Sequence, residues 1–247
     1  MKKKIIAIIP VRMESSRFYG KPLKKIHGLT MVNRIYKILT KCNILDEIFV
    51  ATPNKEIFNH VLSFGGNPVM TNKKHKRASD RCTEALNIIE KKKRKKYDIV
   101  VMVQGDEPMI DQYMIKKAVM PLLKDKNIKI TNLCSAIQNK EDFLSKNTVK
   151  VIFNKFFDAI YFSREPIPNQ KKTFKGFKQV CIIPFERNFL YQYGKLKPTF
   201  AEKEESIDMN RILEHGKKIK MVKVNKITYP VDTLSDLKKV IRNTYKI

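Results

Sequence analysis

Apolar residues in this chain gather in short, unbroken runs. IIAIIP at 5–10, EIFVAT at 47–52, NPVMT at 67–71 and DIVVMV at 98–103 each read as a strand buried on both faces, the pattern of a parallel sheet. Helix-length stretches separate them, at about 30–41, 54–63 and 79–95. Strand and helix in alternation predict a doubly wound α/β sheet. Further on, EKEESIDMNRILEHGKK at 202–218 reads as one amphipathic helix, with Ile207, Ile212 and Leu213 apolar and Gly216 as its stop. On that helix Glu204 and Glu205 are expected on a solvated face. AIYFSREPIPNQKK at 159–172 reads as an edge strand running into a Pro-rich turn.

Sheets of this kind bind ligands beyond the carboxyl ends of their strands, so the segments that follow each run carry the chemistry. After the first comes VRMESSRFYGKPL at 11–23. Arg12, Ser15, Ser16, Arg17, Gly20 and Lys21 supply hydroxyls, backbone N–H groups and three permanent cations, a set suited to a triphosphate. The spacing is neither the Walker pattern nor G-x-G-x-x-G, which argues against ordinary ATPases and dehydrogenases. After the third run, TNKKHKRASDRC at 71–82 places Ser79 as a helix cap and Arg81 beside a helix N-terminus, a second anion-friendly spot; His75 and Glu84 stand nearby. After the fourth comes QGDEP, with Asp106 where a strand leaves the sheet. A carboxylate there is costly unless cations or a metal pair with it. Asp232, in YPVDTLSDL, follows a short apolar run and reads equally as a helix cap or as a second metal carboxylate.

Composition narrows the class. The chain has 247 residues and 43% apolar content, enough for one α/β domain with an excursion. The opening apolar run stops at Pro10 and Arg12, too short for a leader or a membrane span, so it is expected to be a buried first strand. Cys42, Cys82, Cys134 and Cys181 are scattered without a C-x-x-C pair and are expected to be reduced, in a cytoplasmic protein. Lys plus Arg number 51 against 24 acidic residues, net +27. Such a balance suits nucleic acid or a membrane surface. Only ten of the cations are arginine, however, and the dense cluster KKKRKK at 91–96 reads as a solvated helix end that complements the helix dipole.

IIPVRMESSRFYGKPL, HKRASDR, VQGDEP, TVKVIF, AIYFSREPIP and PVDTLSDL, in this order, resemble the family of 3-deoxy-manno-octulosonate (Kdo) cytidylyltransferases, also called CMP-Kdo synthetases, over nearly the whole chain. The resemblance implies a Rossmann-like nucleotidyltransferase fold with a mostly parallel central sheet. It implies one domain over 1–247, with a smaller β-rich excursion at about 130–200 carrying sugar contacts and a homodimer surface. The implied reaction joins CTP and an acidic eight-carbon sugar into CMP-sugar and pyrophosphate, with Mg²⁺, for lipopolysaccharide or surface-polysaccharide synthesis. By position, Arg12, Arg17 and Lys21 match the triphosphate loop, Ser79, Arg81 and Gln104 match nucleotide contacts, and Asp106 and Asp232 match the magnesium carboxylates. Arg12, Lys21, Asp106 and Asp232 are the catalytic set this implies. Ser163 and Arg164 match part of the sugar site.

The chain also departs from the family. In the nucleotide segment H-x-S-G-T-x-R, Arg77 stands for the serine and Ala78 for the glycine, which bears on cytosine selection. Where the family has H-x-G-I-Y-G-Y, this chain reads Gln179-Val180-Cys181-Ile182-Ile183-Pro184-Phe185, and where it has E-Q-L-R, this chain reads Asp208-Met209-Asn210-Arg211. Gln179, Asp208 and Arg211 are accordingly expected at the sugar. Because a site built to hydrogen-bond a hydroxyl rejects substrates lacking it, the acceptor is expected to be Kdo or a relative such as 8-amino-Kdo. Acylneuraminate and methylerythritol cytidylyltransferases use similar loops and remain alternatives. A basic nucleic-acid-binding protein is a distant one, since no aromatic platform interleaves the lysines.

Overall fold

The computed structural model describes residues 2–15, 17–169 and 173–245. Ser16 of the first loop and Gln170, Lys171 and Lys172 of the Pro-rich turn lie outside the described residues. The chain divides into two compact units, one formed by Met1–Lys116 with Thr228–Ile247 and the other by Lys117–Ile227. The excursion expected over 130–200 falls inside the second.

In the first unit, β1 (Ile5–Pro10) leads through a 3₁₀ turn (Lys21–Leu23) and a small hairpin, β2 (Lys25–Ile26) and β3 (Leu29–Thr30), to α1 (Met31–Thr40). β4 (Glu47–Thr52), α2 (Lys55–Ser63), β5 (Pro68–Met70), α3 (Ala78–Lys93) and β6 (Ile99–Val103) follow. β6, β1, β4 and β5 lie side by side in that order, all parallel. The continuous apolar runs are explained by helices over both faces: every residue of β1 and of β6 is buried. Helix α1 starts where the Thr30 hydroxyl accepts the Asn33 N–H and buries Met31, Val32, Ile35 and Leu39 at helical spacing. Because the strands are parallel, the loops after β1, β5 and β6 emerge at the same edge of the sheet.

The second unit begins within α4 (Gln112–Lys124). It contains β7 (Thr131–Ala136), α5 (Lys140–Leu144), β8 (Lys150–Phe153), β9 (Ala159–Ser163), β10 (Phe177–Val180), β11 (Ile182–Glu186), α6 (Arg187–Tyr193), α7 (Phe200–Glu205), α8 (Asp208–Glu214) and β12 (Lys220–Val224). Its sheet runs β12-β7-β10-β8-β9. β12 and β7 are parallel and the other neighbours antiparallel, and β9 is the edge strand expected there. The chain then returns to the first unit and ends in α9 (Leu234–Arg242).

Two helix expectations are corrected. The stretch 202–218 is two helices, α7 and α8, broken at Ser206, whose φ of 54° is left-handed. Glu214 at the end of α8 accepts the backbone N–H groups of Ala201 and Glu202 at the start of α7, at 3.1 and 3.2 Å. In one straight helix those groups would lie about 20 Å apart, so the orphan donors of α7 and the carboxylate of α8 meet only because the chain turns between them. Ser79 is not a helix cap: α3 starts at Ala78 with Arg77 before it, which places Ser79 inside the first turn. All four cysteines are thiols with no disulfide between them, and among the described residues no helix is long and apolar enough to cross a membrane.

Candidate active site

The centre of the first unit's loop edge is Lys21. Its ammonium donates to Asp106 Oδ2 at 2.9 Å, to the Val231 carbonyl at 3.0 Å and to Asp232 Oδ1 at 3.1 Å. An ammonium has three N–H donors, and all three are satisfied by this tripod. Arg17 reaches the same Asp232 oxygen at 2.9 Å. Burial pushes the Lys21 pKa down, but the Asp106 and Asp232 carboxylates more than offset it, and the net direction is upward. Lys21 therefore stays charged.

Local features place each member of this group. Gly20, left-handed at φ 68°, closes the loop through its N–H on the Met13 carbonyl at 2.9 Å, and the Asn54 side chain accepts the Met13 N–H at 3.1 Å. Gly105 brings the QGD turn against the end of β1: a Cβ there would sit 2.1 Å from Val11 Cγ1. The Val231 N–H donates to the Asp106 carbonyl at 2.9 Å, which holds the two acids side by side. The reading of Asp232 as a helix cap is overturned, because Thr233 and Asp236 form a capping box at the start of α9. Asp232 faces the cations instead.

Among the described residues no group of three His, Cys, Asp or Glu converges as a closed metal cage. Two carboxylates on one cation are nonetheless a hard-oxygen donor set, and magnesium is usually held by one or two carboxylates with substrate phosphates supplying the remainder. The Lys21 ammonium stands where such an ion would be attracted, and the residues present fit one. Arg12 is exposed beside the tripod's loop and Gln104 is half-buried just before Gly105.

The second loop is held from within. Arg81, 3% exposed, donates to Thr71 Oγ1 at 2.7 Å, to the Asn72 carbonyl at 3.3 Å and to the His75 carbonyl at 3.2 Å. Burial lowers its pKa, and the nearby Arg12 adds to the same direction. Ser79 is fully buried with its hydroxyl toward Met102 Sδ at 3.9 Å. His75 pairs with Glu84 at 2.6 Å, and Glu84 also accepts the Asn72 N–H at 2.8 Å. Arg81, His75 and Glu84 thus fix the shape of the segment 71–75.

In the second unit, Ser163 and Arg164 are organised by Glu205, a residue expected on a solvated face. Its carboxylate accepts from Ser163 Oγ at 2.7 Å, from the Arg164 N–H at 2.7 Å and from Tyr161 OH at 3.3 Å, and the Arg164 guanidinium donates to the Glu205 carbonyl at 2.7 Å. That expectation is corrected for Glu205, while Glu204 is exposed. Lys150, fully buried, donates to the Ser145 and Arg164 carbonyls at 2.6 Å each. Burial brings its pKa down to about 8. Gln179 donates to Asn132 Oδ1 at 2.6 Å. Asn210 closes on the Phe162 backbone in both directions, at 3.2 and 2.9 Å. Ile183 is fully buried and Asp208 is 8% exposed. Arg211 is enclosed against Glu202 at 2.7 and 2.6 Å, with Tyr193 4.5 Å from its guanidinium. Its fork is engaged inside the unit. Glu205, Lys150, Asn132 and Glu202 carried no local signal in the sequence.

A family model described as "Cytidylyltransferase" matches residues 6–219. The chain is 38% identical over 240 residues to the 3-deoxy-manno-octulosonate cytidylyltransferase of Fusobacterium nucleatum subsp. nucleatum, covering 96% of both chains. It is 38% identical over 251 residues to that of Geotalea daltonii, covering 96% of this chain and 97% of the relative. Among solved structures, the CMP:2-keto-3-deoxy-manno-octonic acid synthetase complexed with CTP aligns with a TM-score of 0.86 at 33% identity, over 97% of this chain and 98% of its own. The 4-diphosphocytidyl-2C-methyl-D-erythritol synthase of Anaerococcus prevotii aligns with a TM-score of 0.65 at 17% identity, over 98% of this chain and 96% of its own, and shares the fold. The α/β architecture is that of a nucleotidyltransferase, and the chain belongs to the cytidylyltransferase family. Within it, the chain belongs to the 3-deoxy-manno-octulosonate cytidylyltransferases.

Proposed function

We propose that this enzyme transfers the cytidylyl group of CTP to an acidic 3-deoxy-ulosonic sugar, Kdo or a close relative, for lipopolysaccharide or surface-polysaccharide synthesis. The sugar's anomeric hydroxyl oxygen forms a bond to the α-phosphorus as the bond from that phosphorus to the pyrophosphate oxygen breaks; pyrophosphate leaves with the electron pair, and the hydroxyl proton is released to solvent. The observation that carries this reading is the convergence of Lys21, Asp106 and Asp232. Direct attack by the sugar oxygen requires no covalent enzyme intermediate, and positioning with charge neutralisation is what phosphoryl chemistry asks of a protein. Arg12, Arg17 and Lys21 hold the triphosphate by charge. Gln104 is assigned to the nucleotide, and Ser79 and Arg81 to the second loop of its site. Asp106 and Asp232 would hold Mg²⁺, which when bound neutralises charge on the phosphate oxygens.

Ser163, Arg164, Gln179 and Asp208 are assigned to the acceptor sugar, while the Arg211 fork is held by Glu202 inside the same unit. Kdo is the first acceptor to test, and the departures at Gln179, which donates to Asn132, and at the buried Ile183 keep a relative such as 8-amino-Kdo as the alternative. The proposal extends to a cytoplasmic homodimer, for which the exposed Phe156, Phe157 and Ile160 suit a subunit surface in the second unit.

The test is pyrophosphate release with Mg²⁺ and each of the four NTPs, crossed with Kdo, 8-amino-Kdo, N-acetylneuraminate and no sugar. Release with CTP and an ulosonic acid is expected. Silence with every acid would overturn the reading, as would full turnover by Asp106→Asn.

A further inference from the structure

The tripod around Lys21 is complete within the protein's own groups. Its ammonium satisfies Asp106, Asp232 and the Val231 carbonyl at 2.9 to 3.1 Å, and Arg17 covers the Asp232 oxygen at 2.9 Å. Two carboxylates thus contact two permanent cations, and the group is neutral. Lys21 and Asp232 are also largely shielded, with side-chain exposures of 15% and 11%. A divalent cation entering such a group must first displace an ammonium that already has its full set of partners. It gains little net attraction there, because the negative charge is already balanced.

A triphosphate changes this balance. It is a polyanion that competes for Lys21 and Arg17, both of which sit on the loop that follows β1. Once they turn to phosphate oxygens, Asp106 and Asp232 are left facing each other with their charge uncovered, and a divalent cation is then strongly favoured.

We propose that Lys21 is the resident counter-ion of the magnesium site: in the nucleotide-free enzyme its ammonium holds the place between Asp106 and Asp232, and the incoming triphosphate withdraws it so that the metal can enter. Lys21 is then a positioning residue for the two acids as well as a phosphate ligand. The arrangement makes free metal a poor ligand and makes nucleotide the trigger for its binding. It also spares the empty enzyme the repulsion of two adjacent carboxylates. The inference rests on the assignment of Asp106 and Asp232 as metal carboxylates.

The experiment is Mn²⁺ titration of the nucleotide-free enzyme, read by the electron paramagnetic resonance of free Mn²⁺, for wild type, Lys21→Met, Arg17→Met and Asp106→Asn. Lys21→Met is expected to bind Mn²⁺ more tightly than wild type by on the order of tenfold or more, since a displaced opposite charge is worth at least a pKa-unit equivalent. Arg17→Met, which leaves the tripod in place, is expected to move the same way by a smaller factor. Thermal melts accompany the titration, and Mn²⁺ should raise the midpoint of Lys21→Met far more than that of wild type. If Lys21→Met does not fold, the Arg17→Met titration decides. Unchanged or weaker Mn²⁺ binding in the folded variants, with Asp106→Asn lowering Mn²⁺ affinity, overturns the counter-ion role and leaves the metal site standing. Mn²⁺ binding that is indifferent to Asp106→Asn overturns both.

Discussion

The guanidinium of Arg211 and the carboxylate of Glu202 form a two-pronged ion pair, Nε to Oε2 at 2.7 Å and Nη2 to Oε1 at 2.6 Å, with side-chain exposures of 3% and 1%. It ties α8 to α7 across the break at Ser206. Removing one partner of such a pair strands the other charge out of water and costs about 3–5 kcal/mol. Glu202→Gln and Arg211→Met should therefore lower the unfolding free energy by that order in urea titrations. Arg211→Lys should also be destabilising, because an ammonium cannot reproduce the planar fork. A direct contact with the sugar would show instead as a raised sugar KM with the urea midpoint unmoved.

Glu205 should prove necessary for handling the acceptor. Its carboxylate takes the Ser163 hydroxyl and the Arg164 N–H at 2.7 Å each, so it sets the direction of both residues. Glu205→Gln replaces charge-assisted bonds by neutral ones and is expected to reduce kcat/KM for the sugar by about tenfold, the lower end of what a hydrogen bond to a charged group contributes. The KM for CTP should be unchanged. Equal losses for both substrates would mean that Glu205 supports the fold more than the acceptor.

The parallel sheet was legible because β1 and β6 are buried on both faces, which forces unbroken apolar runs. Asp106 was legible for the same reason: an acid at the end of such a run stands at the carboxyl edge. Lys21 and Asp232 were legible each from its own loop, but their meeting with Asp106 came only from the family resemblance, since Lys21 stands 85 positions away and Asp232 follows near the far end of the chain. Glu205 was hidden by amphipathic spacing that runs on through Ser206, a residue type that gives no signal for a left-handed turn. Arg81 read as an anion ligand because it follows a helix start, yet its long side chain turns back to the carbonyls of Asn72 and His75. In the basic cluster, Lys91, Lys92, Arg94 and Lys96 are exposed as expected, while Lys93 and Lys95 reach back to Glu47.

Gly105→Ala should damage the site from behind. The added methyl would stand 2.1 Å from Val11 Cγ1 and 3.4 Å from the Pro10 carbonyl, so the QGD turn and the end of β1 must separate. Overpacking of this kind costs about 1–3 kcal/mol. The larger effect should be on turnover, because Asp106 is the next residue and a displacement near 1 Å can cost on the order of a hundredfold. Steady-state kinetics beside a urea titration separate the two: a variant with modest instability and near-normal kcat would show that Asp106 tolerates the shift.

Acid stability should depend on Glu47. Burial pushes its pKa up, but Lys95 at 2.6 Å, Tyr97 OH at 2.7 Å and Lys93 at 3.1 Å more than reverse this and bring it down to about 2, from an ordinary 4.5. A carboxylate whose folded pKa lies below its unfolded one stabilises the fold above the unfolded value, and that contribution is lost as pH falls through the folded value. Between pH 4.5 and 2 the wild type should therefore lose its advantage over Glu47→Gln. The contribution should be about 2 kcal/mol near neutrality, reduced below the full pKa equivalent because Lys93 is half exposed and screened by solvent. Urea titrations of both proteins from pH 7 to pH 2 measure the difference. A gap that stays constant across that window would mean that Glu47 titrates normally in the folded chain, and that Lys93 and Lys95 belong to the solvated cluster after all.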